Sequence, residues 1–277
     1  MIVFPNSKIN LGLNIIRKRT DGFHDLESVF YPIDLTDALE VISPGKLTEL
    51  IEFSTTGLEI EGEPGTNLCP RAFSLLKKFF PRIPAVQMHL HKAIPIGAGL
   101  AGGSSDAAFT LKLLNEKFGL GISTESLLNF ALQLGSDCPF FIINKPCFAT
   151  GRGELLEPVN IDLSAYKILI VNPAIHISTS EVFSRVKPLL PSKSILQIIQ
   201  QPVTSWKNEL RNDFEEAVFT ANPDIAHIKD ELYRAGGLYA SMTGTGSTVY
   251  GIFEKRNEAK FSFPPNYFVK ELFGQAQ

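Results

Sequence analysis

One stretch constrains this chain more than any other: PIGAGLAGGSSDAAFTLKLLNEKFG, residues 95 to 119. Gly97, Gly99, Gly102 and Gly103 leave the backbone bare in front of an abrupt helix pattern. In that pattern Ala107, Leu111, Leu114 and Phe118 recur at three- and four-residue intervals, so they share a face, and Gly119 marks the C-terminal stop. Upstream, Val86, Met88 and Leu90 alternate, which predicts a strand. Strand, glycine loop and helix in this order fit an anion site. The first turn of a helix presents N–H groups without internal partners and the positive end of the dipole. Glycines let the backbone wrap closely around a phosphate.

The same glycines partly fit other motifs. Gly97, Gly99 and Gly102 match the GxGxxG dinucleotide fingerprint, but that fingerprint needs a strand ending in an acidic residue about 20 positions later. Here the corresponding stretch, GISTESLLNFALQLG, reads as a helix. The ATPase P-loop needs a lysine before its Ser/Thr, whereas Gly103 is followed directly by Ser104. A purely structural glycine turn, used for tight packing, stays open.

At 277 residues the chain can bury one large core or two modest ones. Its 44% hydrophobic and 20% charged residues are ordinary for a soluble globular protein. A formal net charge of −3 offers no general attraction to nucleic acid. Cys69, Cys138 and Cys147 are odd in number and widely spaced, forming neither a ligand pattern nor a disulfide framework, which fits a reducing compartment. Polar residues interrupt the opening apolar run and its basic residues follow it, unlike a signal peptide. No stretch reaches the roughly 20 apolar residues of a membrane span. A cytoplasmic protein with no nucleic-acid or membrane partner is the expectation.

The first third reads as strand-rich. Ile9, Leu11, Leu13 and Ile15 alternate, Thr20 to Gly22 supply a turn, and ESVFYPIDLTDALEVIS and TELIEFST add apolar runs before breaks at Gly62, Pro64 and Gly65. NLCPRAFSLLKKFF reads as a helix with Pro70 near its start, and a second helix around Thr124 to Leu134 ends at Gly135. PFFIINKPCFATGRGELLEPV resumes strand and turn character. Beyond a composition break near Pro158 to Ser164, AYKILIVNPA reads as a strand and STSEVFSRVKPLL as a short helix stopped by Pro188. Two helical stretches then flank Asn222-Pro223, and YASMTGTGSTVYGIF reads as strand, glycine turn, strand. The expected fold class is α/β of the α+β type, in two domains, 1–157 and 158–277.

Single residues also ask for a reason. Gly244 and Gly246 suit a hairpin or bulge, or a second turn supporting a phosphate held by the first. Asp137 follows a helix-ending glycine and precedes Pro139 by two positions. Aspartate there commonly caps its own backbone, and a chemical role would need a partner and a cleft. Lys8 at the front of its strand is either an ordinary solvated lysine or a functional cation, and His24 an ordinary turn histidine or a recognition residue.

In order and together, the lysine strand, PxGAGLxGGSSDAA, GSDxPFF and the late TGTGS resemble the GHMP kinases across roughly residues 6 to 254. That group includes galactokinase, homoserine kinase and the mevalonate-type kinases. KINLGLNIIRKRTDGFHDLESVF is similar to members that take a cytidine diphosphate sugar alcohol in the non-mevalonate isoprenoid route. The resemblance implies a two-domain fold with ATP and acceptor in the interdomain cleft, and Mg²⁺ sharing the phosphate charge through ligands it does not identify. It implies a phosphate loop of Pro95, Gly97, Ala98, Gly99, Leu100, Ala101, Gly102, Gly103, Ser104 and Ser105, with Asn67 and Leu68 beside the adenine. Ala101 occupies a position that is also glycine in relatives. Lys8 and Asp137 become the catalytic pair: Asp137 accepts the hydroxyl proton or orients the hydroxyl, and Lys8 holds it ionised and offsets developing charge. His24 would hydrogen-bond cytosine, and Phe23, where close relatives often carry tyrosine, would stack on it. Asn10, Thr179 and Gly244 would lie near the acceptor. The implied partner is a small molecule, and the implied assembly a monomer or weak homodimer. Mevalonate or homoserine kinase activity, or a non-catalytic nucleotide-binding protein, are the alternatives.

Overall fold

The computed structural model describes residues 1–45, 47–60 and 64–274; the break read at Gly62 lies outside them. In chain order come β1 (Ile2–Val3), β2 (Asn6–Lys18), β3 (His24–Thr36), β4 (Ala38–Ile42), β5 (Ile51–Gly57), α1 (Leu68–Phe79), β6 (Val86–Lys92), α2 (Gly102–Lys117), α3 (Thr124–Leu134) and α4 (Cys138–Ile143). Next come β7 (Cys147–Thr150), β8 (Leu155–Pro158), β9 (Tyr166–Asn172), α5 (Thr179–Arg185), α6 (Ile195–Ile199) and α7 (Val203–Glu209). The last are α8 (Glu215–Ala221), α9 (Pro223–Arg234), β10 (Tyr239–Met242), β11 (Val249–Glu254) and β12 (Phe268–Phe273).

Contacts gather the chain into two compact units. The first comprises Met1–Ser7, Leu35–Ile96 and Ala101–Asn144; the second comprises Lys8–Asp34, Gly97–Leu100 and Lys145–Gln277. These units do not follow the sequential division into 1–157 and 158–277. The reason is strand pairing: β2 and β3 share a sheet with β7 and β8, which draws the early hairpin to the later part of the chain.

The first unit holds a sheet of order β1-β4-β6-β5, with β5 and β6 parallel and the other pairs antiparallel. The alternation of β6 is realised: Val86, Met88 and Leu90 are buried while Gln87 and His91 are exposed. Helices α1 to α4 pack among themselves, α2 against each of the other three. Ala107, Leu111 and Leu114 supply the buried face of α2. The Cys138–Ile143 segment, expected to be strand and turn, is helix α4. A short apolar run flanked by turn residues carries no period that separates the two states. Here Pro139 starts a helix, and contacts with α2 and α3 bury Cys138, Pro139, Phe140 and Phe141.

The second unit holds two four-stranded sheets, β2-β3-β7-β8 and β10-β11-β9-β12. In β9 every residue from Lys167 to Asn172 is buried, as suits a strand paired on both edges. Ile225, Ile228 and Leu232 of α9 join Val171, Met242, Val249 and Phe253 in one apolar core. Asn222 and Pro223 divide α8 from α9, as the sequence reading expects. Strand β2 departs from simple alternation, because both of its faces are buried from Asn6 to Leu13. No helix among the described residues is long and apolar enough to cross a membrane.

Candidate active site

The loop between β6 and α2 is shared: Gly97–Leu100 belongs to the second unit, and the chain from Ala101 belongs to the first. In the first unit α2 begins behind Ala101, whose φ of 55° and ψ of 28° place it in the left-handed region and whose side chain caps nothing. Gly102 and Gly103 then differ. A Cβ on Gly102 would lie 2.9 Å from both Ile94 Cγ2 and Lys92 Nζ, while one on Gly103 would meet nothing within 4 Å. Ser105 is fully buried and its hydroxyl has no hydrogen-bond partner. Ser104 is half-buried, and burial pushes the Cys138 thiol at the start of α4 up to about 12. Asp137 stands at the N-cap position of α4, yet its side chain makes no capping bond, so the ordinary explanation for an aspartate in this turn does not apply.

Asn67 has a different task in that unit. It is the N-cap of α1, its Oδ1 accepting the Cys69 N–H at 2.9 Å, and Leu68 is the first helical residue, half-buried. Pro95 is buried ahead of the exposed Ile96.

In the second unit the two glycine turns meet. The Thr243 hydroxyl lies 3.1 Å from the Gly99 carbonyl and 3.1 Å from Asn10 Oδ1. A Cβ on Gly99, whose φ is +78°, would stand 2.0 Å from the Thr243 carbonyl oxygen. Gly244 approaches from the other turn: its own Cβ would lie 3.0 Å from the Gly99 Cα. Ala98 and Leu100 are buried and their carbonyls accept from Thr248 and Lys8 N–H groups, so the loop is anchored on both sides of Gly99. Gly97 is exposed with φ +63°.

Lys8 is not a solvated lysine; it is 3% exposed. Its ammonium donates to Asn10 Oδ1 at 2.6 Å and to the Gly99 carbonyl at 3.3 Å, and sits 5.0 Å from the Phe30 ring centre. Asn10 organises this corner. Its Oδ1 also accepts the Gly244 N–H at 2.9 Å, and its Nδ2 donates to Ser28 Oγ at 2.8 Å. Ser28 donates its hydroxyl to the Gly12 carbonyl at 2.6 Å, leaving its oxygen to accept from Asn10. That choice fixes which end of the carboxamide faces the ammonium. Tyr250 donates to the Asn10 carbonyl at 2.7 Å, and Asn212 Nδ2 donates to the Met242 and Gly244 carbonyls. Thr179, exposed at the start of α5, lies with its hydroxyl 3.3 Å from that of Thr245.

The GFH turn also lies in the second unit. Phe23 is 51% exposed and the Arg152 guanidinium lies over its ring at 4.8 Å. His24 opens β3 with its ring 5.1 Å from that of Phe183. Burial, then the Lys18 charge, lowers the His24 pKa and favours the neutral ring, which both donates and accepts. Ser28, Phe183, Arg152 and Asn212 were not singled out in the sequence. Phe183, Arg152 and Asn212 lie in no motif with a chemical signature, and within the GFHDLESVF stretch only the pairing of β2 with β3 marks Ser28.

The chain matches the family models described as "GHMP kinases N terminal domain" over residues 67–145 and "GHMP kinases C terminal" over residues 196–261. It is 52% identical to a 4-diphosphocytidyl-2-C-methyl-D-erythritol kinase of Bacteroides fragilis, over 91% of this chain and 92% of that protein. It is 48% identical to a kinase of the same name from Azobacteroides pseudotrichonymphae, over 97% of this chain and 100% of the other. Among solved structures, it resembles a 4-(cytidine 5'-diphospho)-2C-methyl-D-erythritol kinase with a TM-score of 0.80 at 27% identity, covering 99% of this chain and 100% of that one. The Methanococcus jannaschii mevalonate kinase shares the fold at a TM-score of 0.74 and 15% identity, covering 100% and 98%.

Proposed function

This chain belongs to the GHMP kinase family, and from that premise we propose that it transfers the terminal phosphoryl group of ATP to the 2-hydroxyl of 4-diphosphocytidyl-2-C-methyl-D-erythritol. The products are the 2-phosphate and ADP, and the reaction serves non-mevalonate isoprenoid precursor synthesis. The observation that carries the ATP reading is the start of α2. There an uncapped helix N-terminus, open space at Gly103 and an unpartnered, fully buried Ser105 hydroxyl occur together. Helix N–H groups and a hydroxyl donor suit a polyphosphate. The choice of acceptor is supported by the relatives of that name, matched over nine-tenths or more of this chain, and by an exposed Phe23 next to a neutral His24.

Mg²⁺ would enter on the nucleotide, with Ser104 and Ser105 hydroxyls as protein oxygens suited to it; when bound it offsets phosphate charge. The chain's own residues do the rest. Lys8, oriented by Asn10, offsets charge developing on the reacting oxygens. Asp137 accepts the acceptor's proton or orients its hydroxyl. A carboxylate suffices for either role if the proton leaves late, in a loose phosphoryl-transfer transition state. Asn67 remains beside the adenine in this reading while capping α1.

The test is a panel of the cytidine-containing acceptor, mevalonate and homoserine with ATP, with the phosphorylated products identified by mass spectrometry and ³¹P NMR. The cytidine compound should react fastest. Faster phosphorylation of either rival overturns the substrate assignment, and ATP binding without phosphorylation of any alcohol overturns the enzyme assignment.

A further inference from the structure

The first unit buries three ionisable side chains that the phosphoryl transfer does not use. Asp37, between β3 and β4, is 1% exposed; Lys92, the last residue of β6, is 4%; Asp106, in the second turn of α2, is 2%. The Lys92 ammonium bonds Asp37 Oδ2 and, at 2.8 Å, Asp106 Oδ2. The other oxygen of Asp37 accepts the N–H groups of Ala93 at 2.6 Å and Ile94 at 2.8 Å. Lys92 Nζ also fills the space that a Cβ on Gly102 would enter.

These contacts fall at two places in the sequence. Ala93 and Ile94 are where the chain leaves β6 for the glycine loop, and Gly102 and Asp106 are where it returns into α2. The three charges therefore hold both ends of the 93–102 segment to one another. Stability is a poor reason to build such a group. Exchanging a buried ion group for apolar residues of similar volume is often neutral or stabilising. Two carboxylates also share one ammonium, and Asp106 Oδ1 is left without a partner. What charged hydrogen bonds supply in return is direction and fixed length.

We propose that Asp37, Lys92 and Asp106 are positioning residues for ATP: a clamp on the 93–102 segment that holds the first turn of α2 in the orientation that receives the phosphates, without touching them. The inference rests on α2 being the phosphate site. Asp106→Ala cuts only the link to α2 and leaves Lys92 with one carboxylate, so the fold should survive. Asp106→Asn keeps an oxygen for Lys92 and serves as the conservative variant. Calorimetric titration of the full chain with the Mg²⁺ complex of a non-hydrolysable ATP analogue, alongside steady-state kinetics, reads the effect.

The expected result is nucleotide affinity weakened about tenfold or more in Asp106→Ala, with the acceptor KM within twofold of wild type and most of the loss restored in Asp106→Asn. Should Asp106→Ala not fold, the uncharged replacement Asp37→Asn/Lys92→Met/Asp106→Leu must show the same selective loss. A folded variant that binds nucleotide as wild type does, or loses acceptor and nucleotide affinity alike, overturns the clamp while leaving the kinase reading intact. Wild-type protein that fails to bind the analogue overturns both.

Discussion

Gly99 in the loop and Gly103 in the first turn of α2 sit four residues apart in one glycine-rich stretch and are glycines for opposite reasons. At Gly99 the protein itself fills the place of a side chain, since the Thr243 carbonyl would be 2.0 Å from a Cβ. At Gly103 there is nothing within 4 Å. The first is committed to closing the fold on itself. The second leaves room that the protein does not use. A glycine motif that reads as one phosphate cradle is therefore made of parts with separate physical duties, and substitutions can tell them apart.

The largest effect should follow Gly99→Val. A β-branched residue at φ +78° against a fixed carbonyl combines backbone strain with overpacking, at about 4 kcal/mol in all. The thermal midpoint should fall by roughly 10 °C, so weaker ATP binding by this variant would not isolate a phosphate contact. A melting curve matching wild type would break the comparison at its first term.

Asp137→Asn comes next. Asp137 occupies the N-cap position of α4 without making the capping bond, and asparagine matches its size and shape. The amide should leave the melting temperature almost unchanged while kcat falls about a hundredfold. Rapid-quench measurement of the chemical step reads it, and a near-normal rate would return Asp137 to a structural role.

Ser28→Ala sharpens the other side of the contrast. It strips the Asn10 amide of the acceptor that holds its orientation towards Lys8. With a buried donor left unpaired, at about 1–3 kcal/mol, kcat should drop about tenfold while the KM for ATP holds, and Ser28→Thr should recover most of it. An equal loss in both parameters would mean that the serine supports the fold generally.

Gly103→Ala should be the smallest and the most telling. Helix α2 gains about 0.5–1 kcal/mol from losing a glycine, so the protein should melt slightly higher while ATP affinity falls about tenfold. Stability and affinity moving in opposite directions is the signature of space reserved for a ligand. Unchanged affinity in calorimetry would empty that space of meaning.

Local patterns made much of this legible. The alternation of β6, the period of α2 and the stop at Gly119 all follow from residues a few positions apart, and the structure has each of them. The meeting of Gly99 with Thr243 was not legible, because it joins residues 144 positions apart. Lys8 and Asn10 fall on what alternation would make the wet side of β2. They are buried because Thr243 and Tyr250 arrive from far along the chain. Lys92 does carry a local signal: the series Val86, Met88, Leu90 continues to it, putting a lysine on the buried side of the strand. A charge at a core position announces a partner, but only the fold says which. Helices α6 and α7 are too short for a period to declare itself.

The chain passes from one unit to the other after Ser7, Asp34, Ile96, Leu100 and Asn144. No single scission can release either as a continuous polypeptide. A fragment ending at Asn144 would keep β2 and β3 but forfeit β7 and β8, and with them the rest of their sheet. Half-genes of this protein would not encode half-proteins. A lineage can duplicate it or lose it, but has no obvious seam along which to shuffle it.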